Sequence, residues 1–377
     1  MTKGPLPPAR TVAKRLGAVV LGVIAAELLL RVALFACAHL LFPPSPTSRS
    51  ETLGRLWYAY SGGLYSALTL DSDVATTYDP HRGYRQAPGL RDHAMFGATL
   101  STNSRGIRGA QEYAVPKPAP VTRIVALGDS MTFGEGVPDD ATWPAQLAAR
   151  MPGVEVANLG GRGYAHDQMY FALVDDGVSL QPDVVVLAFF EPDLMRDELT
   201  FYSYEKPRVA RTSAGWGVEN LPVPEPRDLI HRVMTWPLVY AVPRGLLELT
   251  RPLDPETDYD PARAREIFRM IRAATEKAGA RFVMVDLPGR PEEAPERPGF
   301  FHDYCARADV ECVETWPLFH LAADDPRKLP GPYRLPGNIH YSREGYAVVA
   351  EALRAHLATH PVKPVPGQPT PTQTSTR

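Results

Sequence analysis

The chain has 377 residues, 44% of them hydrophobic, and its 40 basic residues nearly balance 43 acidic ones. This length and composition suit one large α/β domain with extensions or two average domains. The balanced charge, without a cluster of lysine and arginine, argues against a nucleic-acid partner. The 39 prolines collect near the N-terminus, around 115–121 and after 360, and such stretches are typical of linkers and tails.

An apolar segment near the N-terminus, Leu16–Phe42, is interrupted only by Glu27, Arg31 and His39 as strongly polar residues. It is long enough to span a bilayer. Basic residues and no acidic residue precede it, so the positive-inside rule keeps residues 1–15 cytoplasmic and the rest of the chain on the periplasmic or extracellular side of the cell membrane. Glu27 and Arg31 are four residues apart, where they can pair on one helix face.

Two alternatives to this membrane anchor involve cleavage. The segment can be a signal peptide with its apolar core at Leu16–Ala26 and a small-residue site in "FACAH", or a lipoprotein signal that ends at Cys37. An uncleaved anchor over 16–42 is favoured, because cleavage sites seldom lie this far beyond two charges.

The other two cysteines, Cys305 and Cys312, lie in the short stretch "CARADVEC". They are close enough in sequence to form a disulfide on an oxidising side of a membrane. Two buried free thiols are an equally open interpretation.

The region 121–360 alternates apolar and amphipathic stretches. Apolar runs predict strands at 122–128, 154–160, 182–190, 280–288 and 310–314, and the stretches among them predict helices at 142–151, 165–178, 261–279 and 342–357. Strands that are apolar on both faces predict a parallel sheet, and the alternation with helices predicts a three-layer α/β fold. Residues 43–120 are then a lead-in region and linker, and 361–377 a disordered tail.

Residues 199–255 do not follow this alternation of apolar and amphipathic stretches. An insertion of that length in a compact fold is more often functional or mobile than an overlooked set of regular elements. We expect it to roof the site and to shape acceptor choice.

Candidate site residues follow the predicted strands, at the edge where ligands bind in open parallel sheets. Ser130 follows the first strand, Gly163 the second and Asp193 the third, while His340 lies in the loop before the last helix. A serine with a histidine base can act as a nucleophile. Glycine-rich turns supply backbone N–H donors to an oxyanion, here those of Gly163 and Ser130.

Two acidic residues receive supporting roles. Asp129 is expected to turn the nucleophile loop through its own hydrogen bonds, and Asp193 to orient a loop or the insertion with Arg196. No cofactor and no metal is predicted, because the glycines lack a dinucleotide fingerprint and the histidines lack metal-ligand spacing.

Three sequence blocks resemble the SGNH (GDSL) hydrolases, a family of esterases, lipases and acetyl-polysaccharide esterases. "GDSMTFG" is similar to their nucleophile block with Ser130, "NLGGRGY" to the glycine block with Gly163, and "HYSREGY" to the last block with His340. The resemblance covers Arg123 to about Leu357 and implies a flavodoxin-like sheet. "DPHRGYRQAPG", "STNSRGIRG" and "AELLLR" also resemble a bacterial, membrane-anchored branch of that family.

Two positions depart from the family pattern. Pro192 stands where the third block usually has an asparagine that donates to the oxyanion, and proline has no N–H. Asn338 stands two residues before His340, where the family usually has aspartate. An amide can orient an imidazole but cannot neutralise an imidazolium.

These observations predict a single-pass membrane protein with an exported serine esterase or O-acyl transferase, in which Ser130, His340 and Asn338 form the catalytic set. The expected substrate is an acyl ester, in particular an acylated polysaccharide. The alternative is a catalytically impaired protein of the same fold that binds carbohydrate or assists assembly.

Overall fold

The computed structural model describes residues 9–40, 50–60, 75–250, 258–289, 299–321 and 333–360. The predicted tail at 361–377 and parts of the lead-in region lie outside these ranges. The chain divides into two compact units. A helical unit comprises 1–72, 201–204 and 225–252, and an α/β unit comprises 73–200, 205–224 and 253–377.

The α-helices of the described residues, numbered in chain order, are α1 Ala9–Leu40, α2 Glu51–Tyr60, α3 Ser130–Phe133, α4 Trp143–Arg150, α5 His166–Ala172, α6 Asp193–Arg196, α7 Pro226–Met234, α8 Leu238–Leu249, α9 Pro261–Lys277, α10 Phe300–Arg307, α11 Trp316–Leu321 and α12 Arg343–Thr359. The strands are β1 Thr76–Asp79, β2 Gly83–Gln86, β3 His93–Met95, β4 Ala98–Leu100, β5 Thr122–Leu127, β6 Val154–Asn158, β7 Val184–Phe189, β8 Phe201–Tyr202, β9 Tyr204–Glu205, β10 Arg208–Thr212, β11 Gly215–Glu219, β12 Arg281–Asp286 and β13 Glu311–Val313.

The α/β unit is built on a five-stranded parallel sheet in the order β13-β12-β7-β5-β6. Counted from β5, this is the order 2-1-3-4-5 of flavodoxin-like proteins, with the switch point between β5 and β7. The central strand β7 is buried at every residue, as its uninterrupted apolar sequence predicts. The predicted three-layer α/β fold with a central parallel sheet is therefore confirmed.

Helices cover the sheet and complete its core. Trp143 and Leu147 of α4 and Tyr346 and Leu353 of α12 join strand residues such as Ile124 in one buried cluster. Ser342 caps α12 by accepting a hydrogen bond from the Gly345 N–H, which is the role that serine favours at a helix start. The helices thus fix the loop just before α12, which carries His340.

Residues 199–255 contain regular elements that sequence analysis did not assign. Strands β10 and β11 form an antiparallel hairpin within the α/β unit, and α7 and α8 belong to the helical unit. The expectation of an irregular insertion was wrong for these residues. The hairpin is short and polar, and α7 and α8 bury only narrow apolar stripes. These elements therefore lack the alternation of long apolar runs and amphipathic stretches on which the prediction relied.

The helical unit contains α1, α2, α7 and α8. Glu248 of α8 caps α2 by accepting hydrogen bonds from the Thr52 N–H and from the hydroxyls of Ser50 and Thr52. Within α1, Arg10–Cys37 is long and apolar enough to cross a membrane. Length and composition alone fit either a membrane span or a signal sequence.

Candidate active site

Ser130 is presented by a tight turn at the carboxyl end of β5. It is the first residue of α3, and the Asp129 carboxylate caps that helix by accepting a hydrogen bond from the Met131 N–H at 2.9 Å. Gly134 ends the helix with a φ of 82°, a backbone conformation that favours glycine. The Ser130 side chain is buried, so the turn holds the hydroxyl in one place.

The glycine-rich turn after β6 is fastened to α3. The Asn158 side chain donates a hydrogen bond to the Thr132 carbonyl at 2.8 Å and accepts one from the Gly160 N–H at 3.0 Å. A Cβ at Gly160 would lie 2.4 Å from the Phe133 nitrogen, so only glycine allows this approach. Asn158 and Gly160 therefore set the spacing between the Ser130 turn and Gly163.

His340 bridges Ser130 and Asn338. Its Nε2 lies 2.8 Å from the Ser130 Oγ, and its Nδ1 lies 2.7 Å from the Asn338 Oδ1. The same amide oxygen accepts a hydrogen bond from the His340 backbone N–H at 3.2 Å. A backbone N–H is always a donor, so this contact fixes the oxygen of the amide toward the ring. Nδ1 must then carry a proton, which leaves Nε2 free to accept one from Ser130.

Burial lowers the pKa of His340, because the imidazolium is poorly solvated at this position. The carboxylates of Glu135 and Asp129 act in the opposite direction, while the guanidinium groups of Arg196 and Arg162 lower the pKa further. The net direction is downward, so the imidazole stays neutral to a lower pH than a free histidine.

The Asp129 carboxylate accepts a hydrogen bond from a buried arginine. Arg196 donates hydrogen bonds to Asp129 at 3.1 Å, to the Tyr164 carbonyl at 3.2 Å and to Asp193. Burial and the neighbouring Asp129 carboxylate raise the pKa of Asp193 well above its usual range. The structure thus pairs Asp193 with Arg196, and it also links both to the turn that carries Ser130.

Sequence analysis missed Arg108 and Asn158 as parts of the site. The Arg108 side chain is buried, donates to Asp139 at 2.6 Å and to the Val137 carbonyl at 2.8 Å, and lies over the Phe133 ring at 4.7 Å. Its only signal was its place in the family-like stretch "STNSRGIRG". Asn158 was visible as a polar residue at the end of an apolar strand, but its partner Thr132 is 26 residues away.

The third block brings no side-chain donor where the family pattern has asparagine. Pro192 precedes α6 and has neither an N–H nor a polar side chain. Across the described ranges, no group of three or more His, Cys, Asp and Glu side chains is arranged to hold a metal ion.

The geometry defines a class of α/β proteins with a hydrogen-bonded serine and histidine at the carboxyl edge of a flavodoxin-type sheet. The chain belongs to the family of GDSL-like lipases and acylhydrolases, whose model matches residues 124–353. No curated protein gives a significant sequence match.

Several solved structures are similar to the chain. A member of the lipolytic G-D-S-L family from Veillonella parvula is 12% identical, with a TM-score of 0.39, over 63% of this chain and 99% of that one. A lipase/acylhydrolase from Enterococcus faecalis is 16% identical, with a TM-score of 0.37, over 65% of this chain and 98% of that one.

Proposed function

We propose that this protein is a membrane-anchored serine esterase or O-acyl transferase, with Ser130 as nucleophile and His340 as general base. The observation that carries the proposal is the continuous hydrogen-bonded path from the Ser130 hydroxyl through both ring nitrogens of His340 to the Asn338 amide oxygen. A nucleophile within reach of a base that is itself oriented by a third group is the arrangement on which serine hydrolases depend.

In the first half of the reaction, the Ser130 Oγ attacks the ester carbonyl carbon while its proton moves to the His340 Nε2. The tetrahedral intermediate then collapses, and the departing alcohol takes that proton from the imidazolium. The product is an acyl group on Ser130. In the second half, His340 takes a proton from water as the water attacks the acyl carbon, and the intermediate collapses to release the acid while the Ser130 Oγ takes that proton back from His340. A sugar hydroxyl in place of water gives transfer instead of hydrolysis.

The oxyanion that forms in each half requires hydrogen-bond donors. The backbone N–H groups of Ser130 and Gly163 fit this role, because neither has an acceptor within the described part of the chain. Pro192 cannot supply the third donor of the family pattern. The loss of one such donor costs about 10²–10³ in turnover in other enzymes, so we expect a slow enzyme.

The proposed anchor is α1, with the α/β unit on the periplasmic or extracellular side. Support comes from Cys305 of α10 and Cys312 of β13, which form a disulfide, since such bonds persist in oxidising compartments. An exported location makes acylated polysaccharide the substrate class that we propose. Gly163, Asp129, Asp193 and Asn338 keep their proposed supporting roles.

The proposal is tested with a fluorophosphonate probe, which reacts with activated serines. The full-length protein should be labelled, whereas Ser130→Ala should not. As a matched control, Ser179→Ala, which removes an exposed hydroxyl of the same unit, should be labelled like the wild type. Failure of the folded wild-type protein to react would favour the alternative, a carbohydrate-binding or assembly protein in which Pro192 and Asn338 have ended catalysis.

A further inference from the structure

The helical unit exposes an apolar surface on α8. Tyr240, Leu246 and Leu247 are 65%, 53% and 63% exposed. The charged residues of this helix, Arg244 and Glu248, are four residues apart and pair with each other. The opposite face of α8 is packed, because a Cβ at Gly245 would lie 2.5 Å from the Leu53 side chain of α2. The apolar surface is therefore a fixed feature of a packed helix.

Hydrogen bonds place the start of α8 beside α1. The Val239 N–H donates to the Glu27 carboxylate at 3.1 Å. Arg31 donates to the carbonyls of Trp236 at 2.9 Å and Met234 at 2.8 Å. Glu27 therefore satisfies an N–H in the first turn of α8, where a negative charge is favourable. The same two residues pair with each other within α1.

The position of Glu27 along α1 sets the depth of this contact. The apolar segment Arg10–Cys37 has 28 residues and is about 42 Å long at a rise of 1.5 Å per residue. The hydrocarbon core of a bilayer is about 30 Å thick. If α1 stands upright, every placement of that core within the segment leaves Glu27 roughly 5 to 16 Å inside its outer boundary.

The residues around α8 have the composition of a membrane interface. Trp236 and Tyr240 flank the start of the helix, and tryptophan and tyrosine, which combine an apolar ring with one polar group, are enriched toward the ends of membrane spans. The preceding helix α7 exposes Arg227, Asp228 and His231, whereas α8 exposes tyrosine and leucine beside Arg244. An apolar face beside basic residues is typical of helices that lie in the plane of a membrane.

We propose that α8 lies in the outer leaflet of the membrane and that its exposed face, Tyr240, Leu246 and Leu247, contacts lipid acyl chains. Lipid is expected to cover this face because α8 is hydrogen-bonded to α1 at a depth where lipid surrounds α1. The inference rests on the proposed anchor and adds to it. α1 is more than a tether, since its half-buried Glu27–Arg31 ion pair is hydrogen-bonded to the start of α8.

Nitroxide-labelled lipids test this contact in the full-length protein reconstituted in phosphatidylcholine and phosphatidylglycerol vesicles. Cys37→Ser removes the one free cysteine of the described residues, and Leu247→Cys then carries an environment-sensitive fluorophore. Lys277→Cys, exposed in the α/β unit, is the matched control. We expect a blue-shifted emission at position 247 that nitroxides on the lipid chains quench at least twofold, and water-like, unquenched emission at 277.

The outcomes separate the lipid contact from the proposals on which it builds. Water-like emission at 247 in protein that resists carbonate extraction would overturn the lipid contact while leaving the anchor intact. Blue-shifted emission without quenching by lipid nitroxides would also overturn it, and would indicate a protein partner or a second copy. Extraction by carbonate would overturn both anchor and lipid contact. Labelling of Ser130 by fluorophosphonate in the same vesicles reports separately on the proposed catalysis.

Discussion

The two sides of the Ser130–His340 pair are built differently. The Ser130 side is buried and held by several groups, including the Asp129 cap, the Asn158 amide and the close approach of Gly160. On the His340 side, the imidazole is buried, but Asn338, which orients it, is exposed. Packing fixes the position of Ser130, whereas a single amide oxygen that accepts two hydrogen bonds orients His340.

This difference indicates where the site tolerates change. A substitution on the Ser130 side leaves buried backbone groups without partners, which costs stability. A substitution at Asn338 alters the charge beside the imidazole in a position that water can reach. The replacement of the usual aspartate by asparagine therefore affects electrostatics more than geometry. We therefore expect substitutions on the Ser130 side to lower stability and substitutions at Asn338 to change the reaction rate.

The largest expected effect follows removal of the base. His340→Ala should lower kcat for an activated ester by about 10⁴-fold or more, because Ser130 loses its proton acceptor. His302→Ala is the control, since that histidine is exposed and pairs with Glu314 on the surface. Steady-state hydrolysis measures both variants. A loss below tenfold for His340→Ala would mean that another group takes the proton.

A substitution on the buried Ser130 side should lower the free energy of unfolding. Asn158→Leu leaves the Thr132 carbonyl and the Gly160 N–H buried without partners, so the free energy of unfolding should fall by at least about 2 kcal/mol. Asn338→Ser, on the exposed side, should change it by less than about 1 kcal/mol. Urea denaturation of both variants measures the difference. Equal losses would contradict the contrast between the two sides.

A substitution at the exposed Asn338 should change the turnover rate. Asn338→Asp restores a carboxylate that stabilises the imidazolium formed as Ser130 loses its proton, so turnover on an activated acyl ester should rise by roughly 10-fold or more. Combining it with Ser130→Ala should abolish the gain. Unchanged turnover in an active enzyme would mean that a different group orients His340 during the reaction.

The smallest effect concerns pH. Because burial lowers the pKa of His340, the rising limb of kcat/KM should lie below the ordinary histidine value of about 6.5. The base works only when deprotonated, so a lower pKa extends activity toward acid. Asn338→Asp favours the imidazolium and should move the limb upward by about one pH unit. A downward shift in that variant would be incompatible with a carboxylate facing the ring.

Much of the α/β unit could be predicted from the sequence. The uninterrupted apolar run of β7 and the glycine-bounded turn around Ser130 are local patterns with few alternative structures. The pairing of His340 with Ser130 over 210 residues was predicted from the position of His340 in the loop before the last helix and from the family resemblance, and the structure brings the two side chains within hydrogen-bond distance.

Other features depend on partners distant in sequence. Arg196 is an ordinary helical arginine until Asp129, 67 residues earlier, is brought beside it. The first turn of α8 has its acceptor in Glu27, 212 residues away, so the helices of the insertion gave no clear signal. Hydrophobic periodicity reports which face of an element is buried, but not which polar group will complete its hydrogen bonds.

If Ser130 is the nucleophile, a covalent acyl group should form on it and can be trapped. The full-length protein is mixed with an activated acetyl ester, quenched in acid within the first turnover and digested for mass spectrometry. We expect an acetyl group to accumulate on the peptide that contains Ser130 in the wild type, and to be absent in both Ser130→Ala and His340→Ala. Ester hydrolysis by the wild type that leaves Ser130 unmodified at every quench time, with the acyl group on a different residue or on none, would exclude Ser130 as the nucleophile.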